Sequence, residues 1–268
     1  MIAGELVIQN SAEPDHPQVT AFLINLDKDQ DRFDWVAGQL QRARIALHRV
    51  PGVLGKDLPP SVLARHRVAG KPALSPPEIG CIESHILAAK TLLDSGLPHG
   101  MILEDDVHVA SGAAALIGML VPHLETFPII KLEATPMGID VETRGVTVGS
   151  CQLLALRSSQ LGTAAYLASR RGAEIIARRL ANTPLPADIA LFSPPFDEFR
   201  VGQVMPALFQ QDSFTDNPSF PSLMGDRETG MRRERGPVRR MLYPVLVAGY
   251  NVINRWKNRK RVTIGYLG

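Results

Sequence analysis

An α/β layered domain with a mostly parallel sheet is the fold class this sequence predicts, and three observations carry it. The run Val19-Thr20-Ala21-Phe22-Leu23-Ile24-Asn25-Leu26 has strand length and is apolar almost throughout, the pattern of a strand covered on both faces. Ser75-Pro76-Pro77-Glu78 announces a helix, with a capping serine, a proline at the first helical position and an acid where a capping box places one. Strand-like and helix-like segments then alternate through most of residues 19–210. At 268 residues, 45% hydrophobic and 21% charged, the chain can bury one sizeable core.

In order, residues 10–18 form a polar lead-in and 19–26 the first strand. Residues 31–43 read as a helix with Phe33, Val36, Ala37 and Leu40 on one side. A second strand spans Ala46 to Val53 and gives way to a Gly/Pro-punctuated loop that runs to about Leu74. The capped helix continues through Ile79, Ile82, Ile86, Leu87 and Leu93 and stops at Ser95-Gly96. Gly100-Met101-Ile102-Leu103 is a short apolar strand that ends abruptly in Glu104-Asp105-Asp106. A helix follows over 111–124, and strands follow over 128–132, 151–156 and 163–168. The last of these leads into a helix from Ser169 to Leu180. Residues 213–237 are rich in Pro, Gly, Ser and charge and read as a linker.

The net charge is only +2, which argues against a dedicated nucleic-acid binder, but the average conceals a division. Residues 231–268 carry ten basic side chains against the single acid Glu234, a net of +9, which leaves 1–230 at −7. Two cysteines, Cys81 and Cys151, exclude a disulfide-rich scaffold and a four-thiolate zinc site. The first nine residues lack the basic region of a secretory leader, and no apolar run approaches the roughly 20 residues a transmembrane helix needs. The expectation is a soluble, cytoplasmic body.

The acid triplet Glu104-Asp105-Asp106 is the most informative feature. Three neighbouring carboxylates at the end of a buried strand repel one another and need a counter-charge. A hard divalent cation shared with a substrate diphosphate supplies it economically, and the alternative is a solvated acidic loop. In open α/β sheets ligands sit at the carboxyl ends of strands. Alternation along an extended segment puts Glu104 and Asp106 on one side and Asp105 on the other.

The run Leu74-Ser75-Pro76-Pro77-Glu78-Ile79-Gly80-Cys81-Ile82-Glu83-Ser84-His85, followed by Ile102-Leu103-Glu104-Asp105-Asp106-Val107, resembles glycosyltransferase family 25. That family includes lipooligosaccharide galactosyltransferases of Gram-negative bacteria and collagen galactosyltransferases. Its opening strand is matched by Ile24-Asn25-Leu26-Asp27 with Arg32. A later segment is matched by Gly162-Thr163-Ala164-Ala165-Tyr166-Leu167-Ala168-Ser169-Arg170 with Gly172-Ala173, and another by Pro186-Ala187-Asp188. Pro77 stands where the family usually has Gly, and the family's histidine between Gly-Thr and Ala-Tyr is absent.

The resemblance covers about residues 19–212 and implies a GT-A-like nucleotide-sugar-binding domain, followed by a linker and basic extension over 213–268. It implies transfer of a hexose, galactose from UDP-galactose first among the options, onto a sugar hydroxyl of a cell-envelope glycolipid such as lipooligosaccharide. It also implies Mn²⁺ or Mg²⁺ on Glu104 and Asp106, and a UDP-sugar donor. Asp105 would lie nearer the donor sugar or ribose, with Asn25, Asp27, Arg32, Thr163 and Tyr166 lining the donor site. Asp188 is the first candidate for the base, ahead of Asp197 and Glu198, and a structural acid at a helix start explains it equally well. His85 is a candidate catalytic residue or a packed helical histidine.

The basic tail is either a solvated charge run or an interfacial segment, with Met241–Ile253 entering the headgroup boundary and Arg/Lys on anionic lipid over 231–261. The second reading places the enzyme peripherally on the inner face of the cytoplasmic membrane. Two other functions fit the same residues: a non-catalytic carbohydrate- or membrane-binding module, and a metal-assisted phosphate hydrolase.

Overall fold

A computed structural model describes residues 17–69, 73–196, 198–220 and 259–268. Asp197 and the basic, apolar-centred stretch 231–258 lie outside the described residues. Among the described residues, no helix is long and apolar enough to cross a membrane.

The chain begins with β1 (Thr20–Asn25), α1 (Gln30–Arg42) and β2 (Ala46–Pro51). The loop expected after β2 contains a 3₁₀ turn (Gly55–Asp57) and the short α2 (Pro60–Arg65). Helix α3 (Pro76–Asp94) starts with a complete capping box: Ser75 Oγ accepts from the Glu78 amide, and the Glu78 carboxylate accepts from the Ser75 amide. Then come β3 (His99–Glu104), β4 (Val107–Val109), α4 (Ala113–Leu120) with a 3₁₀ continuation (Val121–Glu125), and β5 (Ile129–Lys131). Short strands β6 (Glu133–Ala134), β7 (Ile139–Glu142), β8 (Val146–Val148) and β9 (Cys151–Ala155) precede β10 (Ala165–Ser169). After α5 (Arg170–Leu180), which Ser169 caps, come α6 (Ala187–Phe192), β11 (Val201–Met205), β12 (Phe209–Gln211) and β13 (Arg259–Val262).

Eight strands form the main sheet in the order β2-β1-β3-β10-β5-β11-β9-β8. Pairing is parallel between β1 and β2, β1 and β3, and β5 and β11. It is antiparallel at the two β10 borders, at β9–β11 and in the β8–β9 hairpin, so the sheet is mixed. A parallel neighbour needs a crossover of a dozen or more residues, usually helical. The helices α1 and α3 supply such crossovers for β1–β3, whereas β10 is entered from 156–164 without one.

Both faces of the sheet are covered, which is why β1 and β3 read as continuous apolar runs. Phe22, Ile24 and Ile102 join Ile82, Ile86, Leu92 and Phe192 under α3, α5 and α6. Ala21, Leu23, Met101 and Leu103 point the other way, to Val36, Leu40, Leu116 and Leu120 of α1 and α4. Helix α3 approaches the loop after β2 so closely that a Cβ on Gly80 would lie 2.6 Å from the Val53 carbonyl oxygen.

A second, three-stranded sheet (β4-β12-β6) extends beyond the carboxyl ends of β3 and β5, and β13 pairs with β7. Residues 259–268, basic-rich by composition, are joined to this body. Ile264 is buried, Arg261 reaches Asp140 at 3.6 Å, and the Ala207 amide donates to the Gly265 carbonyl.

Candidate functional site

The strand order assembles the site. β10 runs against its neighbours, so its first residue, Ala165, lies opposite Leu103, and Tyr166 lies opposite Ile102 and Lys131. The turn that feeds β10 therefore arrives beside the carboxyl end of β3, where the acid triplet begins. The Glu104 amide donates to the Ala164 carbonyl and fixes the two together.

Alternation separates the three acids. Asp105 points inward and is 5% exposed. Its Oδ1 accepts from Arg32 Nε at 2.8 Å and its Oδ2 from Asn25 Nδ2 at 2.7 Å. Burial pushes the Asp105 carboxyl up, against the opposing pull of Arg32 and Asn25. Arg32 also reaches Asp106 Oδ2 at 3.3 Å, so this single buried guanidinium faces two of the three carboxylates. Arg49 closes the set by donating to Asn25 Oδ1 and pairing with Asp27 at 2.7 Å.

Glu104 lies on the other side, and Asp106, past the end of β3, stands between it and Arg32. Glu104 Oε1 accepts from Thr163 Oγ1 at 2.5 Å and lies 3.1 Å from His85 Nε2, while the Gln211 amide reaches its Oε2 at 3.4 Å. His85 is buried in α3, and its Nδ1 is engaged by the Tyr166 hydroxyl at 2.8 Å. Asp106 Oδ1 is buried with no hydrogen-bond partner. Burial first, then the Glu104 charge, pushes Asp106 up to about 7. Asp106 therefore holds an acceptor oxygen without a donor next to an acidic neighbour that opposes its ionisation.

Beneath this row lies a buried ion pair. Lys131 Nζ donates to the Leu161 and Gly162 carbonyls at 3.0 and 2.7 Å and lies 3.3 Å from Glu133 Oε1. Glu133 Oε1 accepts from the Ala164 amide at 2.8 Å, and Asp188 Oδ2 accepts from the Gly162 amide at 3.1 Å. Three buried charged side chains thus hold the turn Leu161–Ala164, and the turn presents Thr163 to Glu104. Gly162 has φ +86°, and a Cβ there would meet Glu133 Oε2 at 2.8 Å, so both backbone conformation and space restrict the position to glycine. Burial pushes the Lys131 ammonium down against the pull of Glu133, and pushes Glu133 up to about 7 against that of Lys131.

Over residues 18–191, well over half its length, the chain matches the family model described as glycosyltransferase family 25 (LPS biosynthesis protein). The chain belongs to glycosyltransferase family 25. It is 32% identical over 157 residues to the lacto-N-neotetraose biosynthesis glycosyltransferase LgtB of Neisseria meningitidis serogroup B, covering 54% of this chain and 57% of that one. With LgtE of Neisseria gonorrhoeae it shares 30% identity over 186 residues, 63% of this chain and 66% of the other. The chain thus spans little more than half the length of the LgtB relative it matches.

Within this family member the sequence-named residues divide into two sets. Glu104, Thr163, His85 and Tyr166 form one connected row, and Asp106 stands between it and Arg32, feeling the Glu104 charge. Asn25 and Arg32 are turned inward onto Asp105, and Asp27 is exposed on Arg49. Asp188 is buried, with its two oxygens on the Gly162 and Ile189 amides. Glu198 is exposed and paired with Arg178 at 2.8 Å. Sequence reasoning missed Lys131, Glu133 and Gln211. Two charges inside the apolar stretch Ile129-Ile130-Lys131-Leu132-Glu133 were a signal in themselves, because Lys and Glu are almost never fully buried unless paired. Gln211 carried no such mark.

Replacing Lys131 with Met should destabilise the fold by about 3–5 kcal/mol, because Glu133 and two carbonyls lose their partner in the interior. Chemical denaturation measures it, and Lys131→Met/Glu133→Leu should cost less than the sum of the single changes. Asp106 gives a prediction of opposite sign. Its folded-state value near 7 exceeds the ordinary 3.8, so between these limits the folded state keeps a proton that the unfolded chain has lost, and stability falls as pH rises from about 4 to 7. Above pH 7 Asp106→Asn should therefore be more stable than the parent by about 2 kcal/mol, roughly 4–8 °C in Tm, with no gain at pH 4.

Proposed function

We propose that this chain transfers a hexose, galactose from UDP-galactose first, onto a sugar hydroxyl of a lipooligosaccharide-type glycolipid. Family membership supports glycosyl transfer. The observation that carries the site assignment is the pair Glu104 and Asp106, side by side at the carboxyl end of β3 with Asp106 Oδ1 unpartnered.

The donor set fits a hard divalent cation: carboxylate oxygens, partly open to solvent, with a charge deficit that Arg32 offsets from one side only. Glu104 and Asp106 would hold Mn²⁺ or Mg²⁺, which when bound neutralises charge on the leaving diphosphate. The protein's own groups do the rest. Arg32 and Asn25 fix Asp105, and through it the backbone on which the flanking acids stand. His85 and Thr163 hold Glu104 Oε1, and Gln211 reaches its Oε2 at 3.4 Å.

Asp188 stands close under the Gly162–Thr163 turn, and we assign it the holding of that turn rather than removal of the acceptor proton. A positioning role leaves the shape of the pH–rate profile of Asp188→Asn unchanged while kcat falls. A general base would instead erase its acidic limb.

The membrane-facing role of residues 231–261 rests on their composition, and it suits an acceptor anchored in an anionic bilayer. A donor panel of UDP-galactose, UDP-glucose and UDP-N-acetyl sugars with manganese, read by thermal shift, tests the proposal. The true donor at 100 times its Kd should stabilise the fold by about 2.7 kcal/mol. Asp106→Asn should abolish the manganese-dependent part of that shift together with transfer. No shift with any nucleotide sugar overturns the reading.

A further inference from the structure

A second cluster of metal-ligating groups, chemically different from the Glu104–Asp106 pair, shares Glu104 with it. Cys81 and His85 stand four residues apart on α3, one turn apart on the same face, and both look toward Glu104 at the end of β3. One ligand atom from each, the Cys81 thiol, a His85 ring nitrogen and a Glu104 carboxylate oxygen, lie within 4.8 Å of one another. A tetrahedral ion with bonds of 2.0–2.3 Å separates its ligand atoms by about 3.3–3.8 Å, so small side-chain movements close the set around an ion.

The supporting shell is already in place. His85 Nδ1 is occupied by the buried Tyr166 hydroxyl, which turns Nε2 to Glu104, and Thr163 Oγ1 holds the same Glu104 oxygen. Metal-binding histidines and carboxylates carry such outer partners, which fix ring orientation and ligand direction. His85 Nε2 and Glu104 Oε1 already sit 3.1 Å apart, about the spacing of two ligand atoms on one ion. On binding, the Cys81 thiol proton is released to solvent, and His85 offers Nε2 as a neutral imidazole whose ring proton sits on Nδ1 toward the Tyr166 oxygen.

We infer that Cys81, His85 and Glu104 bind a thiophilic divalent ion of the Zn²⁺ class, with the fourth position open. Thiolate, imidazole and one carboxylate suit Zn²⁺ or Co²⁺, whereas Mg²⁺ and Mn²⁺ prefer all-oxygen sets such as Glu104 with Asp106. Glu104 belongs to both sets, so an ion on Cys81 withdraws that carboxylate from the diphosphate side. Zn²⁺ is then an inhibitor of transfer that competes with manganese. This consequence rests on the proposed function, and the site itself does not.

Cobalt titration of the full chain tests the site without any activity. One equivalent of Co²⁺ should produce a thiolate-to-cobalt charge-transfer band that Zn²⁺ abolishes. Cys81→Ser should remove the band and weaken Co²⁺ affinity by about tenfold or more. Cys151→Ser, at a thiol in the opposite core layer, and Asp106→Asn, in the all-oxygen set, should both keep it. Thermal unfolding of Cys81→Ser confirms its fold, and Cys81→Ala serves as a second variant. A band that persists in folded Cys81 variants, that vanishes with Cys151, or that never forms in the parent chain overturns the inference. Loss of transfer in Asp106→Asn with the cobalt band intact separates the two metal sites. A cobalt band in a chain that binds no nucleotide sugar supports the thiophilic site and sinks only the proposed function.

Discussion

The fully buried ammonium of Lys131 is the interaction on which the site depends. It lies in the middle of the main sheet, on two carbonyls of the Leu161–Ala164 turn, beside Glu133 and 4.3 Å from the centre of the Phe192 ring. A desolvated charge is tolerated only where its hydrogen bonds are complete and a counter-charge is close. Those conditions are met by this arrangement of the turn. The turn in turn sets the start of β10, and Thr163 is delivered to Glu104. A swap of the pair for apolar residues could match its stability, yet would lose the directional bonds that specify the turn.

The three acids illustrate how one local sequence is used for opposed purposes. Asp105 is paired inside the protein with Arg32, takes a hydrogen bond from Asn25, and anchors the backbone. Asp106, one residue on, keeps an orphaned oxygen and a carboxyl raised to about 7, so ionising it costs the fold free energy even with Arg32 at 3.3 Å. Glu133 shows a similar upward shift and an orphaned oxygen, but it is wholly enclosed and touches the site only through the turn.

Much of this was legible in the sequence, and the limits have a physical cause. The capping box of α3, the apolar β1 and β3 and the alternation within the triplet are local properties of short segments, and they appear as the pattern predicts. The role of Arg32 was not legible in the same way. Its pairing with Asp105 spans 73 residues and exists because β1 and β3 are adjacent parallel strands that bring their carboxyl ends together. Gln211 reaches Glu104 across 107 residues through the β4–β12 pairing. Periodicity shows which residues are buried, while strand order decides which of them meet.

Strand order also explains why a mixed sheet serves this chemistry. A parallel β10 would bring its carboxyl end, with Ala168 and Ser169, to the acids, and would carry the Gly162 turn to the far edge. Reversal brings the start of the strand there instead, where a tight turn can expose a backbone and a threonine hydroxyl. It also sets Tyr166 across from Lys131 and against His85, so one strand joins the buried charge pair to the histidine that holds Glu104. The antiparallel strand inserted between β3 and β5 is therefore the feature that converts an acidic strand end into a shaped site.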